Sequence, residues 1–260
     1  MVKEISKLEI ELDGIGHAIS DNKLSVPLYQ RSYAWEESHV TDLYDDLFTS
    51  IRNSEDEYFI GSVVISAGKD RDEVVDGQQR IATISILLSA IRDYFIESGD
   101  IDRATDLQSG YLSSRDRRTQ EVIPNLRLNN SDNNFFYNKI ILQPVSNDEP
   151  SRASHDRILA AYKIAKDKIK SYASTVNNPT ESLLDLCDFI DEHLKIILVK
   201  VPNHANAFTI FETLNDRGLT LAISDLLKNY CLVKLIIDWQ KFKIIGVKCI
   251  LFSKALKMKL

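Results

Sequence analysis

The chain has 260 residues, 44% hydrophobic and 27% charged, a soluble globular composition that supplies one large domain or two small ones and excludes disorder. The net charge of −6 is uneven: residues 231–260 hold seven lysines against one aspartate, which leaves −12 on residues 1–230. An acidic body argues against broad phosphate-backbone binding, since that rests on clustered Lys and Arg, although a local groove can still be basic.

In chain order, MVKEISKLEIELDGIG has no apolar h-region, so no secretion signal is expected, and no apolar run suits a membrane span. KLEIELDGIGHAIS predicts a strand and then a short helix, and KLSVPLYQRSYAW a strand that ends in an aromatic-rich loop. Val40, Leu43, Leu47 and Ile51 recur at spacings 3, 4 and 4, an amphipathic helix. YFIGSVVIS and DEVVDG flank the polar turn AGKDRD as a hairpin. Ile81, Ile84, Leu88, Ile91 and Phe95, at spacings 3, 4, 3 and 4, mark one buried face of the next helix.

Residues 98–132 read as polar and irregular. A helix over HDRILAAYKIAKDKIKSYA, another over SLLDLCDFIDEHL and a strand at KIILVKVP follow. ANAFTIFETLNDRG reads as a helix stopped by Gly218, and SDLLKNYCLVKLI as one capped by Ser224 or Asp225. Cys187, Cys231 and Cys249 form no CxxC and pair with no histidine, so they read as core thiols of a protein in a reducing cytoplasm.

Three segments concentrate functional side chains. VVDGQQRIAT, residues 74–83, lies at a strand-to-helix junction, where unpaired N–H groups and the macrodipole favour an anion and Gly77 permits close approach. A cation in the first turn opposes that dipole, so Arg80 requires a bound anion or a carboxylate. Asp76 suits an N-cap, a metal ligand or a general base, and Gln78 and Gln79 offer amides to a polar ligand. Tyr29, Gln30, Arg31, Tyr33 and Trp35 crowd seven residues; they form either a base-stacking, phosphate-clamping loop or an edge strand with rings in the core. Asn215, Asp216 and Arg217 precede Gly218, in an ordinary helix stop or a third polar motif.

PLYQRSYAW, YFIGSVVI, VVDGQQRIATISILL, RLNNSDNNFF and FETLNDRGLTLAISDLLKNY, in this order, closely resemble the N-terminal domain of the GmrSD type of restriction endonuclease. The resemblance runs from about residue 10 to 230. It implies an α+β fold: a ParB/sulfiredoxin-like small mixed sheet with helices over residues 1–97, a mostly helical continuation with one returning strand over 98–230, and an atypical tail over 231–260. It also implies a module that binds and hydrolyses an NTP, GTP first, senses modified DNA and controls a nuclease in phage defence.

By motif position, Asp76, Gln79 and Arg80 would be catalytic, with Arg80 on phosphate. Gly77, Gln78, Arg31, Tyr33, Asn215 and Arg217 would bind nucleotide, and Tyr29, Gln30 and Trp35 would recognise DNA or its modification. Mg2+ would bridge Asp76 and the phosphates. A nuclease partner chain and a second copy of this chain are the expected protein partners.

Full-length members carry an HNH nuclease motif. The five histidines here, His17, His39, His155, His193 and His204, all precede Tyr230 and none has an HNH context, so the chain is not expected to cut DNA by that route. The basic, apolar tail reads as a truncated or frameshifted end, or else as an amphipathic arm. The competing functional readings are a ParB-like DNA-binding module without turnover, to which Arg115, Arg117 and Arg118 contribute a basic cluster, and a nonfunctional remnant.

Overall fold

In a computed structural model, residues 8–202 are described. Strand β1 (Glu9–Gly14) runs straight into helix α1 (Ile15–Ser20), and β2 (Leu24–Ser25) opens the aromatic loop. Helix α2 (Glu37–Arg52) begins with a reciprocal cap: the Glu36 side chain takes the His39 N–H, and the His39 ring accepts from the Glu36 N–H at 3.3 Å. It buries Val40, Leu43 and Leu47 as their spacing predicts. The hairpin of β3 (Tyr58–Ser66) and β4 (Asp72–Asp76) leads into α3 (Gln78–Glu97).

Residues 98–132 correct the sequence reading, because they are ordered into short pieces. They form α4 (Ile101–Leu107) with a π turn (Gln108–Leu112), the small hairpin β5 (Ser113–Arg115) and β6 (Val122–Pro124), and β7 (Leu126–Arg127). Then come α5 (Asn133–Phe136), α6 (Ala153–Thr175), α7 (Pro179–Asp188) and β8 (Leu194–Val201). The result is α+β, as expected.

Among the described residues six strands make one mixed sheet in the order β1-β8-β3-β4-β2-β7. Strand β8 is internal, antiparallel to β1 and parallel to β3, so KIILVKVP joins two strands of the sheet rather than extending an edge. Such a doubly flanked strand reads as a continuous apolar run.

Helix α3 lies in the middle of the helical layer. Ile81, Ile84, Leu88, Ile91 and Phe95 are fully buried, but so are Ser85, Ser89, Arg92 and Asp93 on the other faces, because α4 and α6 pack there. The expectation of one buried face is therefore corrected to burial all round. Arg92, 1% exposed, donates through Nε to Asp93 at 2.8 Å, through Nη1 to Gln108 Oε1 at 2.5 Å and the Ile141 carbonyl at 2.9 Å, and through Nη2 to the Ile140 carbonyl at 3.0 Å. Asp93 also accepts from Gln143 at 2.6 Å and from the Tyr162 hydroxyl. Each ion is neutralised and hydrogen-bonded, the condition for keeping a charge in a core.

Cys187 is a buried free thiol, as its sequence context suggests. Burial, then the carboxylates of Asp191 and Asp188, pushes its pKa up to about 12. Only the thiolate is the nucleophile, so native Cys187 should resist alkylation at pH 8 and react fully in urea, as followed by mass spectrometry of its peptide. Rapid native labelling would place it at the surface. Among the described residues no helix is long and apolar enough to cross a membrane.

Candidate functional site

The junction of β4 and α3 is built by two glycines. Gly77 is the N-cap of α3, with φ +87 and no side-chain cap bond, so Asp76 does not cap the helix. A Cβ on Gly77 would stand 2.7 Å from Val63 Cγ2 and 3.0 Å from the Ser62 carbonyl. The glycine thus permits close packing on β3 and a left-handed backbone.

Gly61, at φ +113, sits where β3 slips register against β8, between Phe59 and Ser62. Its missing side chain leaves room for the Arg80 guanidinium, whose Cζ would lie 3.0 Å from a Cβ there. A glycine inside a strand pattern signals a bulge, and the one in YFIGSVVI carried that signal.

Arg80 is half-buried in the first turn of α3 and donates from Nη1 to the Ser62 carbonyl at 3.1 Å. No described carboxylate pairs with it, so of the two partners its position calls for, the acid is not found among the described residues. Asp76 is half-exposed at the end of β4, opposite Val64. Val64 alternates with the core residues Val63 and Ile65, which puts Asp76 on the sheet face away from α3.

The two glutamines have partners already. Gln79, 7% exposed, accepts through Oε1 from the N–H of Ala34 at 2.8 Å and of Trp35 at 3.4 Å, and donates through Nε2 to the Ser32 carbonyl at 3.4 Å. Gln78 donates to Gln30 Oε1 at 3.4 Å, and Gln30 donates to the Val75 carbonyl at 2.8 Å. These amides fasten the aromatic loop to the start of α3.

Within that loop the side chains divide. Tyr33, 3% exposed, is core: its hydroxyl meets Thr83 Oγ1 at 2.8 Å and burial raises its phenol pKa, and with Arg31, Gln78 and Gln79 it borders a small cavity. Trp35 is partly buried, stacked at 6.2 Å on His39. Arg31 is exposed, and Tyr29, 66% exposed, projects with Leu28. Partial burial and then the Glu73 carboxylate raise the Tyr29 phenol above its ordinary value. Tyr29 borders a cleft of about 770 Å³ lined also by Pro27, Leu28, Glu73, Arg127 and Asn130. The loop is therefore a packed segment with one outward aromatic tip.

RLNNSDNNFF supplies residues that residue-by-residue reading left unassigned. Asp132, fully buried, accepts the Tyr33 N–H at 2.7 Å and the Ser154 hydroxyl at 2.6 Å, and Asn129 donates to the Gln30 carbonyl at 3.0 Å. Short polar residues ahead of a helix are a turn signal, which hides a contact made 99 residues away.

Asn215 and Arg217, together with the helix ends read at Gly218, Ser224 and Asp225, lie outside the described residues. Among the described residues no three His, Cys, Asp or Glu side chains gather as a metal cage.

The family described as GmrSD restriction endonuclease, N-terminal domain, matches residues 15–232 of the chain. No curated protein matches it.

Proposed function

Since the chain belongs to the family of GmrSD restriction endonuclease N-terminal domains, and so is a component of a restriction system, we propose that it binds and hydrolyses an NTP, GTP first, at the start of α3. The turnover would regulate the response of a nuclease to modified DNA. The observation that carries this reading is Arg80: a first-turn cation, seated over Gly61 and held by one carbonyl, with no described acid to neutralise it.

Arg80 keeps donors for a phosphate once Nη1 is anchored on Ser62, and the anchor orders the guanidinium before the ligand arrives. The α3 terminus adds its partial positive charge. The Asp76 carboxylate accepts no hydrogen bond from a described residue and, at the strand end beside Gly77, would hold a Mg2+ that arrives with the phosphates. Bound there, magnesium would neutralise charge that develops on the phosphates. Gln79 acts by position, because its amide is occupied by the loop. Tyr29 and Arg31 at the loop surface, and Asn215 and Arg217 by motif, are the remaining candidates for ligand contact.

A thermal-shift screen against GTP, ATP, CTP and UTP with magnesium, followed by phosphate release, tests the proposal. Arg80→Ala should weaken the best nucleotide by roughly 10- to 150-fold, the worth of one charged hydrogen-bond partner at ~1.5–3 kcal/mol. The apo melting temperature should stay within a few degrees, since only the bond to Ser62 is lost. An unchanged shift would remove Arg80 from the site, and extensive unfolding would make it structural.

The exposed Arg115, Arg117 and Arg118 on the β5–β6 hairpin favour a second reading, DNA binding without turnover. Tight DNA binding that falls steeply with salt and ignores nucleotide would support that one.

A further inference from the structure

We infer that Gln79 is a positioning residue that locks the loop at residues 32–35 to the first turn of α3, and thereby links ligand binding at Arg80 to the shape of that loop; the link rests on the nucleotide reading above. The side-chain amide replaces a strand partner for the loop: Oε1 takes two consecutive N–H groups, those of Ala34 and Trp35, and Nε2 meets the Ser32 carbonyl. Nothing else in the described residues satisfies those two N–H groups. One turn on, Thr83 donates to the Gln79 carbonyl at 2.8 Å while its Oγ1 meets the Tyr33 hydroxyl, so the same helical turn grips the loop twice.

Gln79 and Arg80 are consecutive, and consecutive helical residues diverge by about 100°. One therefore faces the loop and the other faces Gly61 and Ser62 on β3. A phosphate that draws Arg80 reorients a turn whose other side is tied to the loop backbone, and a ligand that reshapes the loop pulls on the same turn. Such a link is reciprocal.

Amide hydrogen exchange of the full chain, resolved at Tyr33, Ala34 and Trp35, reads the lock directly. Without ligand, Gln79→Met, close in volume but lacking the amide, should speed exchange at Ala34 and Trp35 by at least ~5-fold, the factor one neutral hydrogen bond sets. Tyr33, held by Asp132, should not change. Gln79→Glu keeps both accepted bonds and should exchange as the wild type does; fast exchange at Ala34 and Trp35 in that variant, or unchanged exchange in Gln79→Met, overturns the lock.

GTP with magnesium should slow these two amides further in the wild type and leave them unaffected in Gln79→Met. A thermal shift by GTP with no effect on the wild-type amides overturns the link and spares the nucleotide reading. No thermal shift at all overturns the nucleotide reading and the link with it, while the lock is judged on the ligand-free exchange.

Discussion

Asp93→Ala is expected to cost about 3–5 kcal/mol of stability, the penalty for removing one partner of a buried ion pair. The substitution strands Arg92, 1% exposed, with only the Gln108 amide oxygen and the Ile140 and Ile141 carbonyls as acceptors, and it deprives Gln143 and Tyr162 of theirs. Against a typical domain stability of roughly 5–15 kcal/mol, that is a large fraction. Urea titration followed by circular dichroism would register it as a lower midpoint with little change of slope. The combined replacement Arg92→Met with Asp93→Leu should recover most of the loss, because a buried pair exchanged whole for apolar side chains is often neutral. A single-variant loss below ~1 kcal/mol would show that water reaches the guanidinium.

Gly77→Ala is expected to damage both fold and site. The left-handed backbone at φ +87 charges a non-glycine residue about 1–2 kcal/mol. The new methyl would also stand 2.7 Å from Val63 Cγ2 and 3.0 Å from the Ser62 carbonyl, an overpacking cost of about 1–3 kcal/mol. The total is about 2–5 kcal/mol. Ser62 is also the anchor of Arg80, so any relief of the clash by a shift of β3 moves that anchor. Nucleotide affinity should therefore fall by more than stability alone explains, measured by titration at a temperature where the variant is fully folded. Full affinity in a destabilised variant would separate the glycine from the site.

The parts of this fold that were legible in the sequence are those whose burial has a period. Val40, Leu43 and Leu47 face the core because their spacing matches the helix, and the β3–β4 hairpin shows its β-branched runs. Helix α3 misled because Ser85, Ser89, Arg92 and Asp93 look like a solvated face and are covered by α4 and α6. Strands β5, β6 and β7, two or three residues each, are too short to display any alternation.

At the candidate site, the junction and the cation were readable from DGQQR. What the glutamines do was not, because their partners lie more than 40 residues upstream, and those of Gln79 are backbone atoms, which carry no residue-type signature. An amide suited to a ligand is equally suited to a loop.

The place of β8 bears on how the chain acquires its fold. Residues 9–14 find their partners at 195–200, and the same strand completes β3 on its other side. During synthesis β1 therefore leaves the ribosome long before β8, its partner among the described residues. Closing so distant a contact is slow, and meanwhile the flank of β3 that awaits β8 is an open template for a neighbouring nascent chain. Glu9 and Glu11, both exposed on the waiting β1, place charge on a strand that spends that interval unpaired.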